Sequence, residues 1–286
     1  MTVLVNAIVM VGMLLVVPAG LRLTGLRELD AIRGLWPLFA TPGAVCLWLE
    51  RGPTATALAG CYALGTALLA LHAARLAVRD RDRSPARIAL LTALVAPAVA
   101  ALALVAERWG HDLFGFEPAI LALTVPHFHF AGFAAALVAG LVCRVTDGPA
   151  GRFAALSVPL GTLLVLVGYF IGDWAELAGA VVLTAGMWTI GLLTWRLGRE
   201  DGRDRTTRLL LLTSAAVLVA TMVLALSWAV GEATGLPHPT LTWMAATHGL
   251  GNALGFALCS LLAWHRIRTT HPPHSSHPSH RESRTA

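Results

Sequence analysis

Nine apolar runs divide the chain, near residues 3–21, 35–49, 54–77, 87–106, 118–143, 153–171, 175–196, 208–230 and 240–264, each closed by polar, glycine or proline positions. A helix needs about 20 apolar residues to cross the hydrocarbon of a bilayer, so the pattern predicts an all-α polytopic bundle of about nine transmembrane helices. The second run departs from the others, because it is short and contains Pro37 and Pro42-Gly43. It reads as tilted, broken or re-entrant, and in the re-entrant case eight helices cross and the N-terminus changes sides. The connecting segments are too short for a soluble domain, which leaves residues 1–265 as one transmembrane domain. Residues 266–286, where His271, His274, His277 and His280 alternate with Pro and Ser, read as a disordered cytoplasmic tail.

The polar positions between the runs give an orientation. All 21 basic residues are arginine, and they gather in alternate segments: Arg22 to Arg33, Arg75 to Arg87, Arg144 and Arg152, Arg196 to Arg208, and the tail. Only Arg51 and Arg108 fall on the opposite side. Short cytoplasmic segments retain basic residues, so nine crossings place the N-terminus outside and the C-terminus in the cytoplasm of a multi-pass cell-membrane protein. The first run has no basic residue before it, unlike a secretory signal, and is expected to stay as an anchor.

Composition agrees with this reading, at 56% hydrophobic, 13% charged and a mean hydropathy of +0.69. A formal charge of +5 would suggest nucleic acid as a partner for a soluble protein, but here the excess is cytoplasmic arginine facing anionic lipid. No nucleic-acid partner is expected. Cys46, Cys61, Cys143 and Cys259 lie within apolar runs without paired spacing and read as packing residues.

The outward segments hold seven acids, Glu50, Glu107, Asp112, Glu117, Asp173, Glu176 and Glu232, several of which simply end helices in water. Asp173 and Glu176 stand apart, since Gly172-Asp173-Trp174-Ala175-Glu176 is a turn tight enough to hold both carboxylates at the bilayer surface. Trp174 and Tyr169 suit interface anchors there. Asp173 can cap the seventh helix, with Glu176 at the capping-box position, and either acid can also be functional.

Histidine appears deep in two helices, at His127 and His129 in the fifth and at His248 in the ninth. At 1.5 Å per residue, His127 lies roughly 15 Å below Glu117 and His248 roughly 13 Å below Pro239, so the three share a level. Polar groups at that depth face a cavity or a partner helix. His248, Asn252, Gly255 and Cys259 form one stripe, and His129, Gly132, Ala136 and Gly140 form another, whereas His127 points about 200° away from His129. Pro126 is placed to free the carbonyl of Ala122 and open a polar niche. These groups suit interhelical hydrogen bonding, or a polar centre shared between spans five and nine. No acid lies at ligand spacing beside them and no haem-attachment signal is present, so neither a metal nor another cofactor is expected.

Two motifs, HFHFAGF at His127 to Phe133 and THGLGNALGF at Thr247 to Phe256, resemble those of the YndJ-like family of bacterial integral membrane proteins. The resemblance implies a membrane protein built around His127, His129, His248 and Asn252, in a family often described as transporters without an assigned mechanism.

Two function classes follow. The first is a metal-free intramembrane enzyme, a terpenoid-type cyclase or isomerase, acting on a lipophilic small molecule by acid–base chemistry. Its catalytic groups would come from His127, His129, His248, Asp173 and Glu176, with Asn252, Trp174, Phe128 and Phe130 holding and shielding the substrate. The alternative is a small-solute or proton-coupled transporter, although the sequence has no inverted repeat of broken helices. Beyond the substrate and the lipid bilayer, no partner is implied.

Overall fold

The computed structural model describes residues 2–146 and 148–270, and among them the fold is helical throughout. Nine helices follow one another: α1 Val3–Leu23, α2 Asp30–Cys46, α3 Pro53–Arg79, α4 Pro85–Trp109, α5 Pro118–Val145, α6 Pro149–Ile171, α7 Asp173–Gly198, α8 Arg205–Thr234 and α9 Leu241–Thr269. Eight of them are long and apolar enough to cross a membrane; α2, at 17 residues, is the exception. It is nevertheless one helix, running antiparallel to α1. Trp36 Nε1 donates to Met13 O at 2.9 Å, and Asn6 Nδ2 donates to Leu47 O at 2.7 Å, so the end of α2 is level with the start of α1. Its start at Asp30 lies earlier than the apolar run suggests, because the polar turn Asp30–Arg33 is already helical. The last helix continues past Arg266, beyond the expected boundary after 265, and the four tail histidines lie outside the described residues.

Local sequence explains the boundaries. Pro53, Pro85, Pro118 and Pro149 occupy the first turns of four helices, where a missing N–H costs nothing. Ser84, Asp204 and Thr240 cap α4, α8 and α9 through their side chains. Gly110 and Gly235 end α4 and α8 in the left-handed conformation.

Neighbours in sequence pack as antiparallel neighbours in space, most extensively α6 with α7. That pair meets backbone to backbone: a Cβ built at Gly168 would lie 2.5 Å from Glu176 Cα, and one at Gly179 would lie 2.5 Å from Val165 N. Helix α5 is the central element, with 78% of its most apolar stretch buried inside the bundle against 33% for α6 and 28% for α9. The segments sort into two ends. Arg51, Arg108, Asn6 and Ala119 meet at one, and Leu23, Thr24, Ala86 and Arg144 meet at the other. The first is the arginine-poor end, which the arginine bias turns outward.

Candidate functional site

Helical irregularity concentrates on the helices that carry the histidine motifs. Phe128–Ala134 in α5, and Ala245–Gly249 and Gly251–Leu258 in α9, are π-helical, as is Gly12–Val16 in α1, which packs against both. A π segment widens the turn and commonly marks a functional position. In α5 it begins two residues after Pro126, which has no N–H to give to Ala122.

His129 is fully buried. Its Nδ1 lies 2.7 Å from the carbonyl of Val125, which can only accept, so Nδ1 carries the proton and Nε2 is an acceptor. Tyr62 Oη, 2.5 Å from Nε2, must then be the donor. The two rings stack with centroids 5.8 Å apart, Trp36 packs edge-on against Tyr62, and Gly12 leaves the space for the imidazole, since a Cβ there would lie 2.9 Å from His129 Cγ. The stripe through Gly132, Ala136 and Gly140 is buried as its phase implies.

His248 has other partners. Nδ1 donates to Thr221 O at 2.8 Å, Asn252 Nδ2 donates to Nε2 at 3.2 Å, and Thr221 Oγ1 donates to Asn252 Oδ1 at 2.8 Å. The result is a closed clasp between α8 and α9. The expected single centre of His129, His248 and Asn252 between spans five and nine is therefore two networks. Each imidazole has both nitrogens engaged, and α1 packs beside both, with Gly12 at His129 and Ile8 near Gly249. His127 is exposed and bonds back to Leu123 O at 2.7 Å, within electrostatic reach of His248. Phe130 belongs to the core at 6% exposure, and Phe128 is half-buried against Gly132 of its own helix.

The acidic turn also differs from expectation. Gly172, at φ 136°, is the N-cap of α7 and makes no side-chain cap, so Asp173 is the first helical residue instead of the cap. Glycine reverses the chain one residue early, and both acids then sit in the first turn, where the helix dipole favours negative charge. Asp173 and Trp174 are exposed; Glu176 is half-buried against Gly168 and within electrostatic reach of Asp173 and Glu232. Glu232 pairs with His238 at 3.1 Å. Among the described residues no hydrogen bond joins these acids to His129 or His248, and no three His, Cys, Asp or Glu side chains converge as a metal set.

A site that sequence reasoning passed over lies at the arginine-poor end. Glu107, 2% exposed, receives Arg51 Nε at 3.0 Å and Nη2 at 2.9 Å, and Arg108 through Nη2 at 2.5 Å and through Nε. Arg108, itself 7% exposed, also donates to Cys46 O and Leu49 O. Beside this cluster is a cavity of about 160 Å³ walled by α1, the end of α2, α4 and α5, with Val9, Leu104, Ala122 and Val125 among its apolar lining and Asn6 and Arg51 among its polar lining. Ala122 is where Pro126 was expected to open a polar niche. A signal was available in the sequence: Arg51 and Arg108 are the only two arginines that break the inside bias, and both belong to this one cluster.

Comparison with known proteins adds a relative and a family. A Bacillus subtilis (strain 168) protein described as "Uncharacterized membrane protein YndJ" is 25% identical over 163 residues, which cover 56% of this chain and 29% of that protein. The chain thus matches under a third of its relative's length. No solved structure matches. A family profile described as YndJ-like protein matches residues 7–256, a stretch that includes α2 through the second histidine motif and the Arg51–Glu107–Arg108 cluster. The chain belongs to the YndJ-like family of membrane proteins.

Proposed function

We propose that this protein takes a small lipophilic molecule into the cavity at its arginine-poor end. The supporting observation is the cavity itself: about 160 Å³ among four helices, lined by Val9, Leu104, Ala122 and Val125 together with Asn6, Arg51, Glu107 and Arg108, a mixture of apolar surface and a few polar groups of the kind small-molecule sites use. The test is photolabelling of the protein in nanodiscs with a six-carbon aliphatic diazirine alcohol, followed by mapping of the modified peptides. Label on the segments around Leu104 and Ala119 to Val125, lost when Ala122→Phe fills the cavity, is the expected result. Label spread evenly over lipid-facing helices, and unchanged by Ala122→Phe, would refute it.

An acid–base enzyme of the cyclase or isomerase kind is a second reading, resting on one observation. Val125 lines the cavity, and its carbonyl holds the His129 ring whose other nitrogen accepts from Tyr62. In such an enzyme the Tyr62–His129 hydrogen bond, tied to the cavity lining through Val125, would serve as the acid–base pair. On this reading Tyr62→Phe should lower turnover of a bound isoprenoid by roughly 10²-fold or more. Unchanged turnover would sink it.

A further inference from the structure

The charges around the cavity do not balance. Two guanidinium groups surround one carboxylate, and both oxygens of Glu107 are already taken. Arg108 directs its nitrogens at Glu107 and at the carbonyls of Cys46 and Leu49, so it has little left to offer a ligand. Arg51 is different. It turns Nε and Nη2 toward one oxygen of Glu107, its side chain is 50% exposed at the cavity rim, and among the described residues its Nη1 meets no acceptor. Asn6 donates to Leu47 O, and among the described residues its Oδ1 has no donor.

The surplus positive charge sits on a half-exposed guanidinium at the rim of an apolar-walled cavity, where an anionic group can reach it without a buried ion first having to be dehydrated. It also runs against the bias that keeps arginine on the other side of the membrane. An anionic group on a ligand would meet both conditions, and guanidinium prefers oxygen anions that it can grip with paired N–H bonds. The cavity of about 160 Å³ sets the size of the rest of the ligand, since a space of about 150 Å³ holds a benzene ring.

We propose that the cavity recognises the anionic oxygen group, a carboxylate or phosphate monoanion, of a molecule whose apolar body of about six carbons fills the space among Val9, Leu104, Ala122 and Val125. Arg51 is the binding residue, and the Glu107–Arg108 pair is its positioning support. The proposal rests on the ligand reading above and adds the chemistry of the head group.

The experiment compares three diazirine probes of equal carbon length, ending in carboxylate, alcohol or ammonium, on protein in phosphatidylcholine nanodiscs. The acid should label the cavity segments at concentrations about tenfold or more below the alcohol, and the amine should label them least, as a charge-assisted hydrogen bond implies. Arg51→Gln should bring acid and alcohol to parity. Arg51→Lys, which keeps the charge without the fork, should retain part of the preference. Because Arg51 is half-exposed, neither variant removes core packing, and labelling by the alcohol reports that the cavity is intact. Equal labelling by acid and alcohol in the unaltered protein, or an acid preference that survives Arg51→Gln, would overturn anion recognition and leave the lipophilic-ligand reading standing. Absence of cavity labelling by all three would overturn both. Discs containing phosphatidylglycerol separate the sources of the anion: lost labelling by the acid assigns the site to a lipid phosphate, and retained labelling assigns it to a free small acid, each keeping the oxygen-anion site.

Discussion

Replacing Glu107 by Gln keeps the shape of the side chain and removes the charge that two arginines share. At about 3 Å and an effective dielectric of about 20, each pairing is worth roughly 5 kcal/mol before desolvation is subtracted. What remains after the change decides the outcome. Arg51 is half-exposed and can turn to water, so its loss of a partner costs little, on the order of 1 kcal/mol or less. Arg108 has a side chain 8% exposed and cannot do so. Breaking a buried pair from one side costs about 3–5 kcal/mol, and Glu107→Gln should therefore lower the melting temperature by roughly 6–20 °C. Thermal unfolding of purified protein in detergent, followed by its tryptophan emission, measures this directly, with Arg51→Gln as the contrasting variant within about 1 kcal/mol of the parent. Removing both buried charges, as Glu107→Gln with Arg108→Met, should recover much of the loss, because an apolar substitute leaves no orphaned cation. If Glu107→Gln and Arg51→Gln shift the melting temperature equally and slightly, Glu107 is in water and the reasoning fails.

Tyr62→Phe removes the donor to His129 Nε2 and should cost about 0.6 to 2 kcal/mol in the same melting assay, the range of single hydrogen bonds between membrane helices; no shift would mean that the dyad does not form. Asp204 is held well below the usual carboxylate range, at about 2, chiefly by the Thr207 hydroxyl, then by the Thr207 backbone N–H and Arg266. Because the folded value is the lower one, its stabilisation is complete above the unfolded value of about 3.9 and disappears as pH falls toward 2. Melting curves between pH 5 and pH 2 should fall less steeply for Asp204→Asn than for the parent, and parallel curves would contradict the cap. Reporter fusions at Arg81, Gly148 and Arg203 should be cytoplasmic, and those at His111 and Leu236 external; an external Arg203 would reverse the orientation.

Much of the architecture was written in the period and spacing of apolar residues. The runs located the helices because each must satisfy its backbone internally and face lipid or neighbours with apolar side chains. Helical phase also said correctly that His129 and Asn252 point inward. It could not name the partner. Phase fixes a direction, whereas His129 meets Tyr62 because Gly12 of a helix more than a hundred residues earlier leaves room for the ring. His248 meets Thr221 for a similarly non-local reason. Glu107 was illegible because a charge at the end of an apolar helix normally reaches water. Its burial comes from Arg51 and the α2 end, which fold over it from far upstream. Asp173 misled through a single neighbour, Gly172, whose freedom to take φ 136° moved the cap by one residue.

The joint between α6 and α7 has a consequence for how the chain is made. A single residue, Gly172, separates Ile171 from Asp173, so the second of these helices cannot wait at a distance while the first finds a place. Loop closure over so short a link is nearly free of entropy cost, and the matched glycines let the two backbones touch as soon as both have left the ribosome. Synthesis runs from the N-terminus, so both halves of this hairpin emerge ahead of α8. Paired in this way, the two helices form one rod of double thickness, suited to enter the bilayer as a unit. The clasp that holds His248 needs α9, the last helix to emerge, and so closes only after both halves of the hairpin have been made.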